Sequence, residues 1–290
     1  MYKILNPIIY GLLKLISYLP FWGLYRLSDL LCFVLRRVVK YRKVVVEGNL
    51  RLAFPEKSEA ERQAIAHASY KNLADLMVEA QKSLSISEEE IHQHFKVVNA
   101  EIGNKYLAQG RGVICVGGHF NNWEWGALAC NAHCVKPLNM LYKKLKNKYL
   151  NDKFIKARTR MGARFVESKE TYQAFSEKAP KGEPFVMVAD QSPSRYEKAI
   201  WVDFLGIETA CLHGPEKYAK MFDMVVLFVD IQRNKRGYYT LTLSLLTDQP
   251  NDLPDGKITQ MFMGRLEEKI KENPGSWLWS HKRWKRKKDE

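Results

Sequence analysis

The sequence lacks a clean run of the ~20 apolar residues that a membrane-crossing helix needs, and a mean hydropathy of −0.35 excludes a bundle of such spans. With 17 glycines and 11 prolines in 290 residues, it is neither collagen-like nor of low complexity. Cysteine is scarce and odd in number, five in all, and several lie in apolar runs, which fits a reducing compartment and free buried thiols better than a disulfide framework. Cys130, His133 and Cys134 could be read as metal ligands, but no second Cys/His cluster sits nearby to complete a tetrahedral site, so no metal is expected. No His-Glu-x-x-His, Walker loop or Gly-x-Ser-x-Gly elbow occurs, and Gly110-Arg-Gly112 reads as a plain turn. Acid is the charge in short supply. The 46 Lys and Arg outnumber 32 Asp and Glu, giving +14 and an isoelectric point near 9.4. That excess points to an anionic partner: nucleic acid, an acidic membrane surface or a phosphorylated substrate.

What is present begins with an apolar N-terminus. Ile4–Tyr25 is interrupted by Asn6, Pro7, Lys14, Ser17 and Pro20, a poor span but a good interfacial helix or hairpin, with a single span still open. No small-x-small cleavage site follows, so it reads poorly as a signal peptide. Leu24, Leu27, Leu31, Val34, Leu35 and Val38 recur at helical spacing, and the basic cluster Arg36, Arg37, Lys40, Arg42 and Lys43 follows. Tyr18, Phe21, Trp22 and Tyr25 supply an aromatic belt. Together these predict attachment to an anionic cytoplasmic leaflet, each basic residue near the surface contributing ~1 kcal/mol. An ordinary core helix with a solvated basic end is the plainer alternative.

Ser58-x-x-Glu61 predicts a capped helix running to about Ser85, and Ser87-x-x-Glu90 a shorter one. From Phe95 short β-rich runs alternate with helical segments. The expected strands are 95–98, 113–117, 138–142, 164–166, 185–189, 225–230 and 238–245, and the expected helices 100–108, 122–131, 147–161, 171–178, 214–221 and 258–272. This alternation predicts an α/β fold with a mixed, mostly parallel sheet and flanking helices. The boundary falls near Phe95, dividing a helical membrane-docking region (1–94) from an α/β domain (95–290).

One segment carries chemistry: Gly110-Arg-Gly-Val-Ile-Cys-Val-Gly-Gly-His119-Phe-Asn-Asn-Trp-Glu124-Trp. An apolar strand ends at Gly117-Gly118, His119 follows, and a helix opens after it. Strand ends entering helices are where α/β proteins place reactive groups. His119 and Glu124 lie five apart, about 140° on one helix, so they meet only if His119 sits in the turn before it. A carboxylate on one imidazole nitrogen would fix the tautomer and free the other to accept a hydroxyl proton. The plainer reading of a lone histidine is a hydrogen-bonded structural residue.

That segment resembles the His-x4-Asp/Glu block of the lipid A late acyltransferase family, within the lysophospholipid acyltransferase superfamily. The resemblance continues in order along nearly the whole chain: Tyr41-Arg-Lys with Asn49–Pro55, Leu141-Tyr-Lys143 with Asn147 and Arg158-Thr-Arg160-Met-Gly162, Val188–Gln191 with Phe204-Leu-Gly206, and Trp277–Lys285. Lys143 and Lys144 stand where the family has Arg-Pro, and Lys282 and Trp284 where it has Arg and Phe.

The resemblance implies a glycerolipid acyltransferase-like fold and acyl transfer from an acyl carrier protein or coenzyme A thioester to a hydroxyl of a phosphorylated glycolipid, most directly a lipid A precursor. It implies His119 as general base and Glu124 as its orienting partner, with no cofactor beyond the acyl-thioester co-substrate. Arg160 would stand near the oxyanion or a phosphate, Asp190 and Gln191 at a strand end in the site, and His281 and Arg283 on phosphate; Asn122 is a further substrate-binding candidate. The expected partners are a membrane lipid acceptor, the acyl donor and an anionic membrane surface, at the cytoplasmic face of a bacterial inner membrane. A lysophospholipid or other membrane-lipid acyltransferase of the same fold is the alternative. A basic nucleic-acid-binding protein is more remote, since no such signature accompanies the charge.

Overall fold

The computed structural model describes residues 2–286 and 288, with side chains from Leu5 onward; Lys287, in the basic tail, lies outside the described residues. The chain opens with α1 (Tyr2–Ser17) and α2 (Phe21–Phe33), the second extended by a π-helical turn over Val34–Val38. Pro20, extended at the head of α2, splits the apolar stretch into two helices. Helices α3 (Lys43–Ala53), α4 (Glu59–Lys82) and α5 (Glu88–His94) follow. Both expected capping boxes form, Ser58 with Glu61 and Ser87 with Glu90.

The α/β region then runs β1 (Phe95–Val98), α6 (Ala100–Ala108), β2 (Val113–Gly117), α7 (Trp123–Asn131), β3 (Asn139–Tyr142), α8 (Lys148–Thr159), β4 (Arg164–Glu167), α9 (Thr171–Lys178) and β5 (Pro184–Val188). It continues with β6 (Ile200–Phe204), β7 (Ile207–Cys211), α10 (Gly214–Met221), β8 (Val225–Lys235), β9 (Tyr238–Thr247) and α11 (Lys257–Glu272). Seven strands form one sheet in the order β1-β9-β8-β2-β5-β3-β4. Among the described residues only the β8–β9 pairing in this sheet is antiparallel, so the sheet is mixed and mostly parallel as expected.

Strand β2 is central, and all five of its residues are buried. Val113 and Cys115 join the core with α6 and α7 on one face, while Ile114 and Val116 join the core with α9, α10 and α11 on the other. A parallel strand covered on both faces needs this unbroken apolar run. The connection from β2 passes through α7 to β3, and β5 later inserts between them, so the carboxyl ends of β2 and β5 lie side by side. Open α/β sheets bind ligands in such a crevice.

The β6–β7 hairpin was not among the expected strands. It pairs outside the main sheet and turns at Leu205-Gly206, both at positive φ.

The C-terminal segment folds back between the two halves of the chain. The Asn72 amide donates to the Ser276 carbonyl, and the Asn49 amide to those of Trp279 and His281. Trp277 and Trp279 are buried.

The first two helices leave much apolar surface uncovered, including Leu15 at 67% and Trp22 at 75% exposure. Among the described residues no helix is long and apolar enough to cross a membrane.

Candidate active site

Strand β2 delivers His119 two residues beyond its end. A Cβ on Gly118 would lie 2.8 Å from Leu266 and 3.4 Å from Asp190, so the chain here needs glycine to pass so close. The turn is then pinned from the C-terminal segment. Leu278 N–H donates to the His119 carbonyl, and Asn121 N–H, at φ +52°, to that of Ser276.

Asp190, two residues past β5, is the group that holds His119. Its Oδ1 lies 2.6 Å from the imidazole Nδ1, while its Oδ2 accepts from the His119 backbone N–H at 2.9 Å and from Trp277 Nε1 at 2.7 Å. Burial opposes its charge, but the His119 charge and these hydrogen bonds outweigh it and bring the carboxyl down to about 2. Burial likewise pulls the imidazole down, yet the net shift is upward, because Asp190 and then Glu124 favour the protonated ring. With Nδ1–H committed to Asp190, Nε2 is the acceptor nitrogen, and the Gln191 amide nitrogen stands 3.3 Å from it. This is the tautomer a general base requires.

Five expectations are corrected by these positions. The carboxylate on the ring nitrogen is that of Asp190; Glu124, in the first turn of α7, instead pairs with Arg158 Nη2 at 2.5 Å. The resemblance implied direct contact with His119, but the helix carries Glu124 away from Nδ1. Arg160 turns from the site and donates to the Ser83 and Ile86 carbonyls just past α4. Arg158 lines the cavity in its place, because two residues along a helix is about 200° of rotation. His281 is no phosphate ligand here: Nε2 accepts from Ser192 N–H at 3.1 Å, and burial, then the Lys285 charge, push its pKa down to about 4. Arg283 is buried, donates to the Ala210 carbonyl at 2.7 Å and lies 3.2 Å from Cys211 Sγ, so it ties the tail to β7. Asn122, expected on substrate, is buried: Oδ1 caps α7 by accepting from Trp125 N–H, and its amide donates to Glu79. Asp190 and Gln191 do converge on His119.

Beside His119 opens a cavity of about 1020 Å³ between α7, α8 and one face of the sheet. Its walls are chiefly apolar, with Trp123, Cys115, Cys130, Met140, Phe154 and Val186 among them, and His119, Glu124, Arg158 and Gln191 supply polar groups. Pockets for drug-sized ligands span ~300–1,000 Å³, so a long flexible chain has room. Paired strands give the cavity its tiers. Gly117 and Val188 are level with each other near His119, Cys115 and Val186 lie two residues deeper, and Val113 and Pro184 deeper again. At ~3.3 Å per residue, that descent is roughly 13 Å. Burial raises the Cys115 and Cys130 thiols, the latter to about 12, so both are neutral wall groups. Among the described residues no three His, Cys, Asp or Glu side chains gather as a metal site.

An imidazole held by a carboxylate beside a chiefly apolar cavity suits chemistry on the head of a lipid-like chain. The family model described as bacterial lipid A biosynthesis acyltransferase matches residues 3–286. A lipid A biosynthesis lauroyltransferase of Escherichia coli (strain K12) is 26% identical over 279 residues, covering 95% of this chain and 89% of the relative. A lipid A biosynthesis palmitoleoyltransferase of the same strain is 24% identical over 278 residues, with the same coverages of 95% and 89%. A lipid A biosynthesis acyltransferase of Haemophilus influenzae is 24% identical over 260 residues, covering 88% of this chain and 81% of the relative.

Proposed function

The chain belongs to the bacterial lipid A biosynthesis acyltransferase family and is an acyltransferase; on that premise we propose that it moves a fatty acyl group from a thioester to a hydroxyl of a phosphorylated lipid A precursor. The observation that carries the reading is the Asp190–His119 pair beside the chiefly apolar cavity.

The acyl chain lies in the cavity with its thioester carbonyl near His119. The acceptor hydroxyl takes the place of the Gln191 amide at Nε2. As its oxygen attacks the carbonyl carbon, its proton passes to Nε2, and Asp190 stabilises the imidazolium. The C–S bond then breaks, the ester leaves on the acceptor, and the imidazolium returns its proton to the departing thiolate. Arg158, paired with Glu124, is the cation placed to meet the negative charge that develops on the carbonyl oxygen. The donor is an acyl carrier protein or coenzyme A thioester, and no cofactor enters the step.

The protein docks on an anionic membrane surface, at the cytoplasmic face of the inner membrane, by α1 and α2. Leu12, Leu15, Trp22, Leu30 and Phe33 are exposed along these helices, and Arg37, Lys40 and Lys43 follow them on the surface.

The experiment incubates the purified protein with acyl carrier protein or coenzyme A thioesters and one of three acceptors: a lipid A precursor, its dephosphorylated form or a lysophospholipid. Mass spectrometry reads the products. One added acyl group on the phosphorylated precursor is expected. An equal rate on the dephosphorylated acceptor refutes the phosphate requirement, and product from the lysophospholipid alone replaces the reading with its alternative.

A further inference from the structure

Behind the head of α7, outside the chemistry described, sits a second buried acid. Glu79 lies on α4 at 1% exposure and belongs to the helical region, yet it reaches the reactive turn. Its Oε2 accepts from Asn122 Nδ2 at 2.7 Å and from the Tyr239 hydroxyl at 2.8 Å, and its Oε1 from the Tyr25 hydroxyl at 2.8 Å. Its backbone carbonyl accepts from Trp125 Nε1 at 2.9 Å.

We propose that Glu79 is a positioning residue for acyl transfer: by holding Asn122 at the head of α7 it fixes Trp123 and Glu124 beside His119. The inference rests on the reading of His119 as the base.

The side-chain chemistry points the same way. The three side-chain groups meeting the carboxyl bond to it as donors, and an ionised carboxylate accepts at both oxygens. A glutamine would turn an amide N–H₂ toward at least one of them. Asp75, one turn earlier on α4, offers the contrast. It is charge-matched by Arg233 and Arg236 and bonded by Ser28, which locks the first helices in place. Glu79 takes its hydrogen bonds from neutral groups, and one of these groups belongs to the active-site turn. Burial raises its carboxyl to about 7 despite the Arg233 charge and the tyrosine hydrogen bonds, so the ionised form is held at a cost.

The path from Glu79 to the chemistry is short. Asn122 grips Glu79 with its amide and caps α7 with its carbonyl oxygen. The next residue, Trp123, stands edge-on to the His119 ring, centroids 4.9 Å apart, and Glu124 follows with its pair to Arg158. Releasing the amide lets the head of α7 shift and tilts the two groups that flank the base.

The test compares Glu79→Gln with Asn122→Ser in the full chain. Serine keeps a helix-capping oxygen but cannot reach Glu79, so the second variant remains informative if the first fails to fold. The measurements are kcat, KM for the acyl thioester and for the acceptor, melting temperature, and the imidazole NMR resonances of His119, assigned by their loss in His119→Ala. Each variant is expected to lower kcat about tenfold, the scale of one hydrogen bond to a charged group, with KM within about twofold; the donors left unpaired at this buried site should also lower the melting temperature by several degrees, with the protein still folded at the assay temperature. The double variant should be no slower than either single one, and the His119 resonances should move in each. Unchanged kcat and resonances in Asn122→Ser overturn the proposal, as does activity lost only in step with folded protein. Wild-type protein without acyl transfer would defeat the assignment of the base, while the resonances would still report whether Glu79 governs the His119 environment.

Discussion

Replacing Asp190 by asparagine removes one charge and little volume, and its consequence follows from counting donors. Three N–H groups converge on the carboxylate: the His119 backbone, its Nδ1 and Trp277 Nε1. Asparagine has a single acceptor oxygen, so its amide must face one of the three. The adjustable partner is the imidazole, which can move its proton to Nε2 and accept at Nδ1. That tautomer has no lone pair where the acceptor hydroxyl must bind. A positioned general base contributes ~10²–10⁴ in rate, so Asp190→Asn should lower kcat by about 10³, or ~4 kcal/mol of barrier. Glu124→Gln should cost about tenfold, since it removes a longer-range field and the Arg158 pair. The assay is thiol release from the acyl thioester in the presence of acceptor, with melting temperature read on the same samples. A near-wild-type Asp190→Asn beside an inactive, folded Glu124→Gln would refute this assignment of the pair and restore Glu124 as the partner of the base.

The rest of the account can be tested in the same preparation. Because the His119 pKa is raised and the base must be neutral, the acid limb of kcat/KM should fall above the ordinary histidine value of ~6.5; a limb below it would contradict the pair. Asp190, lowered to about 2, contributes stability that is present above the unfolded aspartate value near ~3.9 and is lost as pH falls through about 2. Thermal melts of Asp190→Asn should therefore lose less stability than wild type across that window. Arg160→Ala should lower the melting temperature by a few degrees, through the lost ties to the Ser83 and Ile86 carbonyls, and leave kcat within about twofold; a large kcat loss at full stability would return Arg160 to the site. Serine at Trp22, Leu30 and Phe33 together should reduce sedimentation with anionic vesicles several-fold; unchanged binding would remove α2 from the proposed docking.

The sequence spoke most clearly where one local pattern determined the outcome. The unbroken apolar run of β2 and the two serine–glutamate capping boxes formed where expected. The β6–β7 hairpin escaped notice although Ile200, Val202 and Phe204 alternate, because its turn carries Leu205 at positive φ, where asparagine or glycine is the usual signal. Within the site, His119 and its helix were legible from the Gly-Gly turn, while its partner lies 71 residues away, just past the end of a neighbouring strand. The family resemblance pointed to Glu124, and no local pattern brings a carboxylate so distant in sequence onto the ring. The same limit separates Arg158 from Arg160, since two residues on a helix decide which guanidinium faces the cavity. Arg283 read as part of a charged tail, but the fold buries it against β7.

The central claim is that His119 takes the proton of the acceptor hydroxyl. Its most direct test is the turnover of His119→Ala, measured beside its melting temperature on one purified sample. The account predicts a loss of ~10²–10⁴ or more in turnover, with the fold intact and lipid binding largely retained. A stable His119→Ala protein that still transfers acyl groups near the wild-type rate would contradict it.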